Sequence, residues 1–448
     1  MQSQTAQTES LITVPVSSTA GMARPSAVVR VVETTADFDA LQEQWDRLFD
    51  QNGFSVFQSF SWQRTWWKHY GEGNPDMRLN ILLVYEGGRV VGIAPFLIEV
   101  LRVYGLLRIR RMGLIGRGQS DYQDFLVAEG CDQLSLDAVA GHIAKHRGAF
   151  DIVVIEDFSD RSPRNIVWSE ALRKVGLNVE REVTDYCPRV VFKPTWEESL
   201  AAIPCNNNRK MEKFRRQIAS KFKGEVEFTD EKSSFQDDFQ DFARLHQQRW
   251  KRSGWPGLFE DPKFERFFRD ALEQQKQRGK LVLAFFRIEG DRRLAIVGFK
   301  HRDEFQYYLS GLGDPGKTAH HSPGLVLHTH SMEYLFHQGF HVYDFLRGSE
   351  SYKMDLGGVP VPQWTISAVF PGEETARRNY RWHLLQVSFG RRVWLERSLF
   401  RLTRKEYGLF SGAMKKHLAR RWNSFLHDGV VKAKNPEQTV AGPAGRKA

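Results

Sequence analysis

Residues 343–353, YDFLRGSESYK, bring two carboxylates, two phenols and two cations into one short stretch that opens as a strand would. A strand that turns polar at its end reads as one emptying into a cleft. Asp344 and Glu350 are candidate general bases for a hydroxyl or amine nucleophile, and Tyr352 can return a proton to a leaving group. The competing reading is an ion pair of Asp344, Arg347 and Glu350 across a loop.

Upstream, GLGDPGKTAHHSPG (311–324) leads into a segment whose pattern predicts a helix. Ser322 suits the N-cap, Pro323 the first turn, and Gly324 a close approach by a ligand. Unpaired N–H groups at such a start favour anions, and Gly316 and Lys317 would complete a phosphate cradle. On NRKMEKFRRQI, Arg209, Lys213 and Arg216 share one helical face and Met211, Phe214 and Ile218 another. The cationic face is either a second phosphate contact or a solvated surface.

Other chemistries lack their residues. The spacing of the six histidines between His320 and His341 gives no metal set, and neither a GxSxG elbow nor a P-loop occurs. Trp62, Trp66 and Trp67 can stack on sugars, though core packing is the plainer use. Three scattered cysteines exclude a disulfide framework and point to a reducing, cytoplasmic setting.

These residues need a scaffold, and 448 residues exceed one core, so two domains are expected. The plan is used twice. LNILLVY, a Gly87-Gly88 turn and RVVGIAPFLIE predict one hairpin, and LVLAFFRI, EGDRR and LAIVGFK predict another. Each is followed by a helix ending at a glycine, Gly148 or Gly339, and then by a strand, FDIVVIED or FHVYDFLRG. Two like sheets of mixed α/β build follow from this order, the second behind added helices at TWEESL and NRKMEKFRRQIASKF.

The order of elements resembles the GNAT acyltransferase fold, and its doubling resembles Fem-type aminoacyl transferases. SPGLVL (322–327), the helix ending at Gly339, and YDFLRGSESYK resemble the CelD-like group tied to cellulose and exopolysaccharide production; FQSFSWQRTWW (57–67) is also similar. Asp121, Tyr122 and Asp124 match family positions too. The resemblance implies two tandem GNAT-like domains and a donor site in the second, where Lys353 would stabilise charge on the donor or tetrahedral intermediate. It implies acyl-CoA as co-substrate, no metal, and a saccharide or lipid-linked acceptor. The loop 311–324 lacks the glycine-spaced phosphate signature usual for the fold, which keeps aminoacyl-tRNA open as the donor. A non-catalytic scaffold of a polysaccharide-synthesis system is the third reading.

The expected layout is a loose tail (1–26), a first domain (27–193), a second (194–375), a basic amphipathic helical segment (376–430) and another tail (431–448). Between Arg377 and Arg421 thirteen Lys or Arg stand against Glu396 and Glu406, a surplus of eleven that exceeds the net +10 of the whole chain. Such a segment suits an anionic membrane surface at the inner leaflet, or RNA under the tRNA reading.

Overall fold

A computed structural model describes residues 27–103, 105, 107–230, 233–252 and 256–387, with backbone only for 205–208. Both expected tails and most of the basic segment lie outside the described residues. No described helix is long and apolar enough to cross a membrane.

The first half begins with β1 (Val28–Val32) and the helices α1 (Thr35–Asp39), α2 (Gln42–Asn52) and α3 (Phe60–Trp66). Strands β2 (Met77–Glu86), β3 (Arg89–Val103), β4 (Leu107–Leu114) and β5 (Leu126–Val127) follow. The half closes with α4 (Asp132–Lys145), β6 (Ile152–Ser159), α5 (Arg164–Lys174) and β7 (Asn178–Val191). Helices α6 (Trp196–Ala202) and α7 (Cys205–Phe222) lead into the second half. It runs β8 (Glu225–Phe228), α8 (Phe235–Arg252), α9 (Pro262–Gln277), β9 (Leu281–Ile288), β10 (Asp291–His301) and β11 (Glu304–Leu312). It ends with α10 (Pro323–His337), β12 (Val342–Asp344), α11 (Ser351–Asp355) and β13 (Val359–Val369), after which 374–387 are helical.

The two halves repeat in detail. Both hairpin turns have positive φ at their two central residues, 55° and 79° at Gly87-Gly88 and 53° and 88° at Glu289-Gly290. That is the turn whose twist matches paired strands. Three residues beyond each second glycine the register skips one residue, Val91 in β3 and Arg293 in β10. Helix α10 stops before Gly339, at φ 85°, as expected. Helix α4 instead stops at Lys145, and Gly148 lies in a separate short turn.

The sequence predicts two sheets, whereas the structure has one. Its order is β1-β2-β3-β4-β6-β13-β7-β12-β11-β10-β9-β8, with β5 beside β3. Each half lends its last strand to the other: β13 lies between β6 and β7, and β7 pairs with β12. A strand has two hydrogen-bonding edges, and both edges of β7 are taken by the second half, β13 on one side and β12 on the other. The apolar layers are shared likewise. Trp62 is fully buried against Phe267, Phe299 and Tyr308 of the second half at ring distances of 5.3–5.6 Å. Trp66 and Trp67 are also core residues, so none of the three offers a face to a sugar.

At the seam, buried charges meet. Asp344, at the end of β12, accepts from Tyr122 Oη at 2.8 Å, Arg189 Nε at 3.0 Å and the Leu346 N–H at 2.8 Å. Arg189 and Arg161 both reach Glu304 at the start of β11. Arg347 bonds Asp157 at 2.5 Å and pairs with Asp121 at 3.3 Å, both from the first half. Burial outweighs the neighbouring arginine and lifts Asp344 and Asp157 each to about 6. A carboxyl that holds its proton more tightly folded than unfolded favours folding at low pH. That contribution is lost as pH rises from about 4 to about 6. Asp344→Asn should therefore gain on wild type as pH rises through this window, the difference between the two unfolding midpoints shifting in the variant's favour from about pH 4 to about pH 6; a difference that does not change with pH would contradict the assignment.

Candidate functional site

Strands β11 and β12 are parallel partners only over Glu304–Gln306 and Val342–Asp344. Beyond that point they part. One residue further, Tyr307 pairs with Gly298 while Leu309 pairs with Val297, so Tyr308 is an extra residue that kinks β11 at the mouth of the gap. Strand β12 cannot continue, because Leu346 is held at φ 51° and Gly348 at φ 120°. The chain then turns into α11.

Lys353 enforces that turn. It is buried, and its Nζ donates to the carbonyls of Arg347 at 2.8 Å, Gly348 at 3.2 Å and Leu346 at 3.4 Å, with Glu350 at 3.0 Å. An ammonium has three protons and here has four acceptors. The expected contact with substrate charge is corrected accordingly: Lys353 positions the loop, and its charge is spent inside the protein. Asp344 is corrected as a general base for the same kind of reason, since its carboxylate is fully buried and bonded to Tyr122, Arg189 and Leu346. The ion pair expected among Asp344, Arg347 and Glu350 also dissolves, because each finds a different partner.

Glu350 and Tyr352 remain at the opening. Glu350 is partly exposed, and Tyr352 is half-buried and stacks on His328 at 5.6 Å. His328 lies edge-on to Tyr307 at 4.8 Å and shares a 2.8 Å hydrogen bond with Tyr343 Oη. Burial, with Lys353 next, pulls His328 down to about 3, so the ring is neutral. Burial and contact with Tyr307 push Tyr352 well above the ordinary phenol range, so it keeps its proton. From α8, Arg249 reaches Ser310 Oγ on β11 at 3.2 Å and lies close enough to act electrostatically on Tyr352.

The predicted phosphate loop is only partly as expected. Pro323 opens α10, but Ser322 has left-handed backbone (φ 44°) and its side chain makes no capping bond. Gly316, also left-handed, and Lys317 are exposed in the turn before it. A side chain at Gly324 would first meet Leu312, at 3.8 Å. Arg209 and Arg216 lie exposed on α7, while Met211 and Ile218 are buried on its other face, as the pattern predicts. The structure therefore gathers Glu350, Tyr352 and Lys353 around one turn and leaves the cationic residues apart on the surface.

Sequence reasoning missed Tyr307, His328, Arg249 and Ser310. His328 was visible within the histidine-rich run, but its use is hydrogen bonding; among the described residues no group of three His, Cys, Asp or Glu is placed to hold a metal.

The matching gap in the first half is filled. Strands β4 and β6 pair only at Arg111–Met112 with Ile152–Val153. There the following segment folds back: Gln123 pairs in parallel with Phe158, and its N–H reaches the Asp157 carbonyl at 3.0 Å. Gln119, Ser120, Asp121 and Asp124 are all buried beside it. Tyr380, from the helix over 374–387, reaches Glu156 at 2.6 Å next to the buried Arg111–Glu99 pair.

Replacing Lys353 with Met strands three inward carbonyls and a carboxylate, at a cost of about 2–4 kcal/mol. Chemical denaturation should show this loss, and stability equal to wild type would free Lys353 for a role outside the loop.

Residues 206–354 match the family model described as acetyltransferase (GNAT) domain. No curated protein matches the sequence. Among solved structures the chain is similar to FemX, with TM-score 0.52 and 12% identity over 76% of this chain and 96% of that one. It is also similar to L-PGS from Bacillus licheniformis, TM-score 0.45 and 11% identity over 77% and 95%. A tandem GNAT protein from the clavulanic acid biosynthesis pathway gives TM-score 0.43 and 12% identity over 76% and 98%. At these identities the likeness is one of fold. The chain is built of two GNAT-like halves, and the match of residues 206–354, in the second, to the GNAT acetyltransferase domain supports a transferase.

Proposed function

We propose that the chain transfers an acyl group from acyl-CoA to a hydroxyl or amine of a saccharide or lipid-linked envelope precursor, and that it does so in the gap between β11 and β12. The observation that carries this is the contrast between two equivalent gaps: the first is filled by residues 115–124, and in the second β12 has only β11 and β7 as neighbours among the described residues. A splayed pair of strands leaves backbone N–H groups free to bind an extended amide arm and to hold an oxyanion.

In this reading Glu350 takes the proton from the attacking group as it adds to the thioester carbonyl. Backbone donors near the Tyr308 bulge hold the charge that develops on oxygen. As the carbon–sulfur bond breaks, Tyr352 gives its proton to the departing thiolate. Lys353 keeps Glu350 and Tyr352 in place through the turn that it closes. The acceptor class rests on the likeness of SPGLVL and YDFLRGSESYK to the CelD-like group.

An aminoacyl ester carried by RNA would undergo the same addition and elimination in the same gap. Ribonuclease-sensitive activity would select that reading. A scaffold role predicts no stabilisation by any acyl-CoA, since a ligand that binds the folded state must raise its stability.

Tyr352→Phe should lower kcat about a hundredfold or more in an assay with an acyl-CoA panel, with little change in donor KM. Unchanged turnover in that variant would remove Tyr352 from the chemistry.

A further inference from the structure

Away from the gap just described, a cleft of about 820 Å³ lies between α8, the β9–β10 turn and the end of β11. Six cations line it: Arg244, Lys251, Arg252, Arg287, Arg292 and Arg293. The lining residues of α8 recur at helical spacing, from Asp241 through Arg244, Gln248 and Lys251, so one face of the helix forms the wall.

The cations divide into two groups. Arg287 and Arg292 are anchored by carboxylates, Arg292 by Glu227, by Asp238 at 2.9 Å and by Asp241 at 3.1 Å, and they set the shape of the floor. Among the described residues Arg244, Arg252 and Arg293 pair with one aspartate each, at 2.8, 3.5 and 2.8 Å; those of Arg252 and Arg293 are themselves largely exposed, and Arg252 also donates to the carbonyls of Leu312 and Gly313. Exposed pairs of this kind hold weakly, and an arginine engaged by one carboxylate keeps further donors for another anion. Lys251 is exposed on the same wall. The cleft is a concave wall of guanidinium forks, the geometry that suits the planar, multiply charged oxygens of a phosphate ester.

Its place in the fold assigns it to one substrate. Helix α8 packs on the sheet face of Trp62 and Phe268, whereas α7 and α10 pack on the opposite face. The donor route drawn from the fold runs by α10. Along α8, Arg249 faces Ser310 at the gap while Arg252 bonds the Leu312 carbonyl at the cleft, and two strand residues span about 7 Å. A phosphate seated in the cleft thus lies along the same helix and strand that border the gap, on the α8 side.

We propose that this cleft binds a phosphate ester of the acceptor substrate, of nucleotide or sugar-phosphate size, and that the acceptor enters the β11–β12 gap from the α8 face. The assignment to the acceptor rests on the reading of that gap as the transfer site; the anion site itself does not.

Calorimetric titration of the full chain with inorganic pyrophosphate at low ionic strength tests it, in wild type and in Lys251→Glu/Arg293→Glu, two surface positions whose change should leave the melting temperature intact. Binding in wild type that weakens with added salt, falls at least tenfold in the variant, and leaves acyl-CoA stabilisation intact is the expected result. Pyrophosphate affinity unchanged in the variant overturns the site. Loss of both pyrophosphate and acyl-CoA binding overturns the acceptor assignment, because the cleft would then hold the donor. Variant-sensitive pyrophosphate binding without acyl-CoA stabilisation in wild type supports the anion site and overturns only the transfer reading.

Discussion

Everything at the candidate site hangs on buried charge at the seam between the halves. Asp344 and Arg347 flank the point where β12 ends, and each is tied to the first half, Asp344 through Tyr122 and Arg347 through Asp121 and Asp157. Taking ions out of water costs several kcal/mol apiece, and that cost is offset only where opposite charges meet at close range. A displacement of the loop would leave those ions without partners. The turn carrying Glu350 and Tyr352 is thereby fixed from two sides, by the seam and by the ammonium of Lys353.

The exchange of β7 and β13 follows the same logic. A GNAT-like half with a free last strand would expose an edge, and the exchange covers both edges with the partner half's backbone. The two halves have then become unlike in one respect. In the first, residues after β4 return to pair beside β6; in the second, residues after β11 lead away to α10. One plan thus yields a half in which a returning segment pairs beside β6 and a half in which no described segment pairs into the corresponding place beside β12.

Local features were legible in the sequence. The Gly87-Gly88 turn, the helix that stops before Gly339, and the apolar face of Met211 and Ile218 all stand as read, because each depends on neighbours within a few residues. Long-range features were not. Nothing near Lys353 says that its charge will meet three carbonyls, since that depends on the left-handed Leu346 and on Gly348. Asp344 looked like a base because its partners, Tyr122 and Arg189, come from 222 and 155 positions away. Ser322 had the residue type of an N-cap, and its left-handed backbone denied it that use. Residue type announced the polar turn correctly; only the fold decides which of its groups faces outward.

Hydrogen exchange on the full chain, with and without a saturating acyl-CoA, addresses the central point, that one gap is open and its counterpart is closed. Slowed exchange confined to 307–312 and 345–352 is the expected pattern. Protection at 111–124 and 152–159, with none at the second gap, would contradict the account.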